Sequence, residues 1–461
     1  MNKITLLLVL TTLLIYGCKP QTSSSSPSTF TFTVEEDTSD LQGLPALQSF
    51  ALGVCDSGFV IFGGRANGFH GFGSEQNFPY LTANKTLYPY NKYTHTLYTM
   101  SVDSLPEDLH EQYISTNMEN RQIGEYLYVC GGYGMINAGQ QDSNWVTHNI
   151  ISRVNVNQMY NAIRNSNKDA LAKAIAYDKN DIVISTGGEL FKLNDGKFYL
   201  VLGHDFRGPY GGTHYQQYLD SVHVFTLTET DSTIQVNSSF QYISDHLVDS
   251  ITEFRRRDLV VAPNVLSGGT SYGISIYAGV FTTAGNTFHY PIYITGGNTP
   301  SYYLDTSYYQ LSNVYSAPNL QMYDSVNDLM YTTIFGGLGD TMFINGDSAA
   351  FTKVITTLKR NNAQNTTSPI YNSSSMPDYV ASEGIFIPAN GAPVYNSNNL
   401  GIIDYNKIPT GNKQLLGYIY GGIYSDSTQW SNVDTTINSQ HYKKNITSAS
   451  NRVFKVWITK D

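Results

Sequence analysis

The sequence predicts an all-β fold in which six repeated units close into a propeller around a central axis. Six short apolar stretches, spread over nearly the whole chain, each end in glycine. A supersecondary unit that recurs at a loose period indicates a repeat architecture. The composition agrees, because 36 Tyr, 21 Phe, 39 Gly and only 14% charged residues suit many strands joined by polar turns. One large closed domain of 461 residues fits these features better than several average domains.

The six stretches share a β-rich run that closes on glycine, which lets adjacent strands and loops approach closely. They cover residues 58–64, 126–132, 198–204, 274–280, 330–337 and 416–422. His204 and Val280 stand where the third and fourth stretches are expected to carry a second glycine. Each unit is predicted to contain four antiparallel strands, a to d from the channel outward, with the glycines closing strand b.

Local patterns refine two of the units. In the third unit, Asn194-Asp195-Gly196 separates two alternating apolar runs, which is a strong hairpin signal. Between residues 157 and 177 the apolar residues recur at helical spacing, and this predicts one or two short helices that link the second and third blades.

The two ends of the propeller are predicted to meet. After Gly422, only residues 452–459 read as a strand, so the last blade lacks an outermost strand. Residues 29–35 alternate apolar and polar side chains and have no other predicted partner. We expect them to pair beside residues 452–459 and close the ring, which removes a long free sheet edge.

The first 28 residues are a targeting segment. Lys3 precedes an apolar stretch over residues 4–16, and residues 14–18 end in a lipobox-like Gly17-Cys18. This predicts a lipoprotein signal peptide (1–17), an acylated Cys18 carrying chains such as palmitate, a polar tether (18–28) and a propeller (29–461). An ordinary signal peptide or a short anchor is the alternative. The expected location is the outer membrane, through the lipid only, on the periplasmic or the outer side.

The cysteine content argues against a disulfide-stabilised protein, and the charge argues against a nucleic-acid-binding protein. Cys130 lies in a predicted buried strand and Cys55 at a turn, so we expect both to be free. The net charge of −10, with no basic run beyond residues 255–257, argues against nucleic acid as a partner. A monomer is expected.

The candidate site follows from strand direction. Strand a runs antiparallel to strand b, so the start of a and the end of b rim the same mouth of the channel. Flat rings, guanidinium groups and carboxylates at one mouth suit a polyol, a glycan or a polar peptide. The post-glycine loops contribute Arg65, Asn67, His70, Tyr133, His204, Asp205, Phe206, Tyr210 and Tyr424. The entries to strand a contribute Asn117, Glu119, Glu189, Arg255, Arg256, Arg257, Asp258, Tyr315 and Glu383.

A structural role for these residues is the alternative, in which Arg257, Asp258 and Glu119 are buried groups that lock neighbouring blades. The motifs of copper radical oxidases, zinc or calcium sites, Gly-x-Ser-x-Gly hydrolases and phosphate loops are missing from the sequence. We therefore predict no metal and no cofactor, and we assign no catalytic residue. Acid–base chemistry at a sugar anomeric carbon needs one acid/base pair, with an arginine for a substrate carboxylate. Glu119, Glu189 or Glu383 with an arginine could serve, and nothing in the sequence selects among them.

Several segments carry a family resemblance. They are residues 63–72, 115–119, 256–259, 315–318 and 323–324. Together with the glycine-terminated units, they resemble kelch-repeat lipoproteins of the Bacteroidota type, in the galactose oxidase and kelch superfamily. This resemblance implies a six-bladed kelch propeller and no particular activity. From the residues at the mouth we expect a module that binds or scaffolds a glycan or protein ligand. The competing function is that of a carbohydrate enzyme such as a sialic acid mutarotase-like epimerase.

Overall fold

The computed structural model describes residues 30–70, 78–210, 212–245, 252–311, 314–339, 350–396, 400–426, 433–437, 440–444 and 447–461. The predicted signal peptide, Cys18 and the tether lie outside this part of the chain. In the described part, no helix is both long enough and apolar enough to cross a bilayer.

The first three units each form one antiparallel sheet, with strands in the predicted order a to d. Unit one consists of Ala51–Cys55, Gly58–Phe62, Thr86–Asn91 and Thr96–Leu97, with Met100–Ser101 beside the third strand. Unit two consists of Thr116–Ile123, Tyr126–Ile136, Ile150–Asn155 and Ile175–Lys179, with Asn144–Thr147 beside the second strand. Unit three consists of Glu189–Lys192, Phe198–Val201, Val222–Phe225 and Gln241–Ile243.

The other three units follow the same order. Unit four consists of Val260–Val265, Tyr272–Tyr277, Ile292–Thr295 and Ser301–Leu304. Unit five consists of Asn319–Asp324, Leu329–Gly339, Ala350–Asn361 and Thr366–Ser375, joined by Val314–Tyr315 and Ile403–Asp404. Unit six consists of Tyr379–Pro388, Lys413–Ser425, Val453–Lys460 and Phe30–Glu36, with Ser448–Ala449 at its second strand. Three separate hairpins are His204–Arg207 with Tyr215–Tyr218, Leu227–Glu229 with Ile234–Val236, and Val433–Ile437 with Gln440–Lys444.

The all-β propeller class is confirmed, but the prediction of six blades is wrong, because the structure forms five regular blades. Five sheets are blades of four or five strands, whereas unit five is a larger sheet of six strands. The cause is the connection between the first two strands of unit six, which spans residues 389–412 instead of a tight turn. Its segment Ile403–Asp404 runs parallel to Met322 and Tyr323 and extends the innermost edge of unit five.

The N-terminal strand closes the last sheet, as predicted. Phe30–Glu36 pairs antiparallel with Val453–Lys460, so that Phe30 lies opposite Lys460 and Glu36 opposite Phe454. Phe30 and Phe32 are fully buried, and Phe32 packs edge-on against Phe335 of unit five. The strand therefore joins two neighbouring units as well as the two ends of the chain.

Two helices form in the predicted stretch, but the predicted position between blades two and three is wrong. They are Val156–Arg164 and Lys168–Lys173, and Asn155 and Asn167 cap their N-termini. They connect two strands that pair with each other, Ile150–Asn155 and Ile175–Lys179, so they belong to unit two. The remaining helical turns are Glu107–His110, Tyr80–Thr82, Val102–Ser104, Gln112–Ile114, Asp181–Val183 and Tyr405–Lys407.

A pair of left-handed residues interrupts or ends the second strand of every unit. The pairs are Gly63-Gly64, Gly131-Gly132, Leu202-Gly203, Ala278-Gly279, Gly336-Gly337 and Gly421-Gly422. In units three and four the left-handed pair therefore begins one residue earlier than the sequence predicts. His204 and Val280 do not replace the second glycine; Leu202 (φ 61°) and Ala278 (φ 57°) replace the first. The second position stays glycine because a Cβ on Gly203 would lie 2.3 Å from Ser185 Oγ.

The core lies between adjacent sheets, where each unit buries apolar side chains against the next. Cys55 and Cys130 are both free and buried in this core. Burial raises the pKa of each thiol, so the reactive thiolate is disfavoured.

Candidate binding site at the channel mouth

Six residues in the left-handed region, one just before or within the first strand of each unit, encircle the axis. They are Ser49 (φ 54°), Asn117 (52°), Gly187 (72°), Asp258 (52°), Ser316 (34°) and Glu383 (62°). We call them the neck. A left-handed turn at each entry redirects the chain from the post-glycine loop into the innermost strand.

Hydrogen bonds connect the neck residues from unit to unit until the circle closes. Starting at Ser49, the backbone N–H donates to the Glu383 carbonyl at 3.1 Å, and the Ser49 carbonyl accepts from Asn117 N at 3.2 Å. Thr186 Oγ1 donates to the Asn117 carbonyl at 3.2 Å. The circle continues through Asp258 N to Gly187 O (2.7 Å), Ser316 N to Asp258 O (3.3 Å) and Glu383 N to Ser316 O (2.8 Å). These links hold one face of all six units at a fixed spacing.

A cavity that opens to solvent lies above the neck. Eleven of the eighteen candidates line it: Arg65, His70, Asn117, Tyr133, His204, Phe206, Tyr210, Arg257, Asp258, Tyr315 and Glu383. Residues from all six units therefore meet at one mouth.

Glu383 lies at the boundary between the mouth and the axial channel, since it lines both. Its Oε2 accepts from Ser49 Oγ at 2.6 Å and from Asn117 Nδ2 at 3.0 Å. Its Oε1 is buried and has no hydrogen-bond partner among the described residues. Burial and the nearby Asp258 carboxylate raise the pKa of Glu383 to about 7. Near neutral pH this carboxyl can therefore donate or accept a proton.

Arg257 and Asp258 form a buried ion pair beside Tyr315. Arg257 Nη1 lies 2.8 Å from Asp258 Oδ2, and both side chains are almost inaccessible to solvent. Burial opposes the charge on Arg257, but the Asp258 carboxylate outweighs it and keeps the pKa of Arg257 above its ordinary value. Burial and Asp258 also raise the pKa of Tyr315 well above its ordinary value, so the phenol remains protonated.

Arg65 is a buried cation of a different kind, with only 2% of its surface exposed. Its Nε donates to Asn67 Oδ1 at 3.1 Å, and its Nη2 donates to the Pro79 carbonyl at 2.9 Å. Within the described residues, no carboxylate lies within ion-pair distance of it. Burial lowers the pKa of Arg65 to about 10, so it is still charged at neutral pH.

His204 is held as a neutral imidazole. The Gln216 amide nitrogen lies 2.7 Å from its Nδ1, so Nδ1 accepts that hydrogen bond and Nε2 carries the proton. Burial lowers the pKa of His204 well below its ordinary value, and the charges of Arg257 and Arg255 add to this effect.

The other seven candidates do not line the mouth. Asp205 pairs with Arg207 at 2.6 Å, and Arg255 lies over the Tyr218 ring. Asn67 supports Arg65 through its Oδ1. Arg256 is fully buried and bonds the carbonyls of residues 253, 278 and 290, which is a structural role. Tyr424 lies instead near Arg452.

Glu119 and Glu189 are the last two candidates, and neither of their carboxyl groups lines the mouth. Glu119 accepts from Ser185 Oγ and Gly188 N behind the neck, and burial raises its pKa to about 8. Glu189 lines the axial channel on the far side of the neck, where burial raises its pKa to about 7.

Sequence reasoning missed several residues that line the mouth: Gln48, Ser49, Phe69, Phe78, Thr116 and Thr186. A simple positional signal finds three of them. In five units, the residue immediately before the neck residue lines the mouth: Gln48, Thr116, Thr186, Arg257 and Tyr315. This signal depends on the neck position, which a left-handed conformation marks and the sequence alone does not show.

Comparison with known proteins adds little to this geometry. No protein-family model matches the chain, and no curated protein sequence matches it. A solved structure described as "Structure of YjhT" aligns over 90% of this chain and 100% of its own, with 12% identity and a TM-score of 0.46. The propeller fold is evident from the chain's own sheet order and left-handed pairs. Among the described residues, no group of three or more His, Cys, Asp or Glu side chains is arranged to hold a metal ion.

Proposed function

We propose that this protein is a ligand-binding propeller of the cell envelope, held to the outer membrane by a lipid on Cys18, and that its mouth binds a glycan. The observation that carries the proposal is the convergence of Arg65 and Glu383 on one cavity with aromatic walls, where Glu383 Oε1 has no hydrogen-bond partner in the part of the chain that the structure describes. The lipid anchor is supported by the lipobox-like residues 14–18 and the polar tether that follows.

The chemistry of the cavity favours a ligand rich in hydroxyl groups. A buried guanidinium without a carboxylate partner is stabilised when a ligand oxygen accepts its hydrogen bonds. The unpartnered Oε1 of Glu383 would in turn accept from a ligand hydroxyl. Tyr133, Phe206 and Tyr210 supply rings against which the apolar face of a sugar can pack. A protein ligand would have to insert a narrow loop to reach the same groups.

The finer architecture belongs to the same proposal. We infer that the enlarged sheet of unit five occupies a sixth sector of the ring, equivalent to the five regular blades. The neck supports this, since unit five contributes Ser316 between Asp258 and Glu383 in the closed circle of hydrogen bonds. A mouth completed by six sectors would present its ligand with groups from every side.

The test is binding of the purified full-length protein, in detergent micelles, to an array of immobilised glycans. Wild-type protein is expected to bind at least one glycan, and Arg65→Gln is expected to lose that binding. Arg164→Gln is the matched control, because Arg164 is exposed at the end of a helix. The absence of any bound glycan, or equal binding by Arg65→Gln, would contradict the proposal.

A second candidate function rests on the ionisation of Glu383. A carboxyl with a pKa of about 7, next to a ligand cavity, suits general acid–base catalysis near neutral pH. The corresponding activity is sugar epimerisation or mutarotation. NMR of freshly dissolved sugar anomers separates the two functions: faster equilibration, lost in Glu383→Gln, indicates an enzyme. Glycan binding without faster equilibration indicates a binding protein.

A further inference from the structure

A second cavity lies on the face opposite the mouth, where the hairpin turns of units three, four and five meet. It is a groove with about 1350 Å³ of empty space, lined by residues of these turns and by three tyrosines. The tyrosines are Tyr272, Tyr293 and Tyr303. No residue that lines the mouth also lines this groove, so the two cavities are separate.

Tyr303 forms an exposed aromatic surface on one wall of the groove, with 39% of its surface accessible. Its ring is nearly parallel to that of Tyr293, at 17° and 6.4 Å between centroids. Arg360 lies beside both rings, 3.4 Å from the Tyr293 centroid and 5.7 Å from that of Tyr303. Tyr293 is itself hydrogen-bonded to Thr367 Oγ1 at 2.6 Å. The Tyr303 ring is therefore already supported from below, and a ligand that stacks on it would cost little side-chain entropy.

Polar groups surround this aromatic wall. Asn194, Ser271, Thr295 and Asn365 are exposed and line the groove. Amide and hydroxyl groups at the edge of an aromatic ring provide both donors and acceptors for a ligand.

The charged groups of the groove are already engaged with the protein. The Asp195 carboxylate accepts from Tyr199 OH at 2.6 Å and from Gly297 N at 2.7 Å. Arg360 Nη1 lies 3.9 Å from the buried Asp305 carboxylate, and Arg360 Nη2 donates to Asn365 Oδ1. Arg360 Nη1 makes no hydrogen bond among the described residues, but Arg360 is only 6% exposed and is covered by the two tyrosine rings. Since its charge is shielded from the groove, a neutral ligand is favoured over an acid or a phosphate.

From these observations we propose that this groove is a second carbohydrate-binding site, which takes a neutral pyranose ring stacked on Tyr303. The apolar face of the sugar covers the exposed phenol ring, and its hydroxyl groups bond the amides of Asn194 and Asn365. The site acts independently of the mouth, since the two lie on opposite faces of the propeller.

The experiment is saturation-transfer NMR on the full-length protein in detergent micelles, with cellohexaose, maltohexaose, mannohexaose and xylohexaose as probes. At least one probe is expected to receive magnetisation from the wild-type protein. Tyr303→Ala is expected to weaken its affinity about tenfold, while Tyr303→Phe keeps the ring and retains binding. Tyr242→Ala is the control, because Tyr242 is also exposed (52%) on the outer strand of unit three, outside the groove.

A further variant distinguishes binding in the groove from binding in the mouth. Glu383→Gln, in the mouth, is expected to leave the Tyr303-dependent signal unchanged. The proposal is overturned if no probe receives magnetisation, if Tyr303→Ala binds as wild type does, or if Tyr242→Ala loses binding to the same extent. A signal that disappears only in Glu383→Gln would assign all binding to the mouth and would also overturn it.

Discussion

Asn117 and Glu383, 266 positions apart in sequence, are joined at the neck by a hydrogen bond of 3.0 Å from Asn117 Nδ2 to Glu383 Oε2. The same carboxylate oxygen accepts from Ser49 Oγ. Three units thus meet at one side chain whose other oxygen lacks a partner among the described residues. This arrangement connects the stability of the ring to the ionisation of a group that faces the ligand cavity.

The first prediction concerns pH. The pKa of Glu383 is raised from 4.5 to about 7, so the folded protein holds this proton more tightly than the unfolded chain does. Its contribution therefore destabilises the fold progressively as the pH rises from about 4.5 through about 7. Glu383→Gln cannot ionise, so its stability relative to wild type should improve between pH 5 and pH 8 by about 1 to 3 kcal/mol. Urea unfolding at the two pH values measures this change.

Equal pH dependence in Glu383→Gln and wild type would show that the carboxyl is already ionised at pH 5. Asp56→Asn is a suitable control because Asp56 lies in a surface turn of unit one, away from the neck.

The second prediction concerns the left-handed pairs. Gly131 has φ +63°, and a Cβ there would lie 2.0 Å from the Ser185 carbonyl oxygen of the next unit. Gly131→Ala should lower the free energy of unfolding by more than about 3 kcal/mol, because strain and a backbone clash add together. Gly124 is the matched control: its φ is +60°, and a Cβ would meet nothing within 4 Å.

Gly124→Ala should cost only about 1 to 2 kcal/mol, the strain of the left-handed conformation alone. Similar thermal or urea midpoints for the two variants would refute the claim that the pairs exist to bring neighbouring units close together.

The third prediction concerns the N-terminal strand. Phe32 is 1% exposed and packs against unit five, so Phe32→Ala should destabilise the protein by about 3 to 5 kcal/mol. Thr33→Ala, on the exposed side of the same strand, should change stability by less than about 0.5 kcal/mol. Chemical denaturation followed by tryptophan fluorescence distinguishes them. If Phe32→Ala unfolds at the wild-type midpoint, the strand does not close the propeller.

The repeat units and their strand order were predictable because each unit repeats a local pattern: a turn, an apolar run and a glycine. The closure by Phe30–Glu36 was predictable for a similar reason, since an alternating run without a partner matched a sheet without an outer strand. The enlarged sheet of unit five was not predictable. It depends on Ile403–Asp404 reaching a distant edge, and no local pattern encodes a two-residue parallel pairing.

The sequence predicted which face of the propeller carries the site, but not which side chains contact one another there. Strand direction placed Arg65, Tyr133 and Arg257 at one mouth. Strand direction could not distinguish Arg257 from its neighbour Arg256. Arg257 lines the mouth, whereas Arg256 is buried in unit four and donates to the Ala278 carbonyl. Strand direction also misjudged the register in unit three, where Leu202 adopts a left-handed conformation that sequence rules reserve largely for glycine.

The central claim is that loops of different units build one binding site at the mouth. The most direct measurement is calorimetric titration of a glycan that the wild type binds against three single variants: Gln48→Ala, Tyr133→Leu and Tyr210→Leu, from units one, two and three. Each variant should bind about tenfold more weakly than the wild type at a temperature where its circular dichroism spectrum matches that of the folded wild type. Wild-type affinity in all three would contradict the claim.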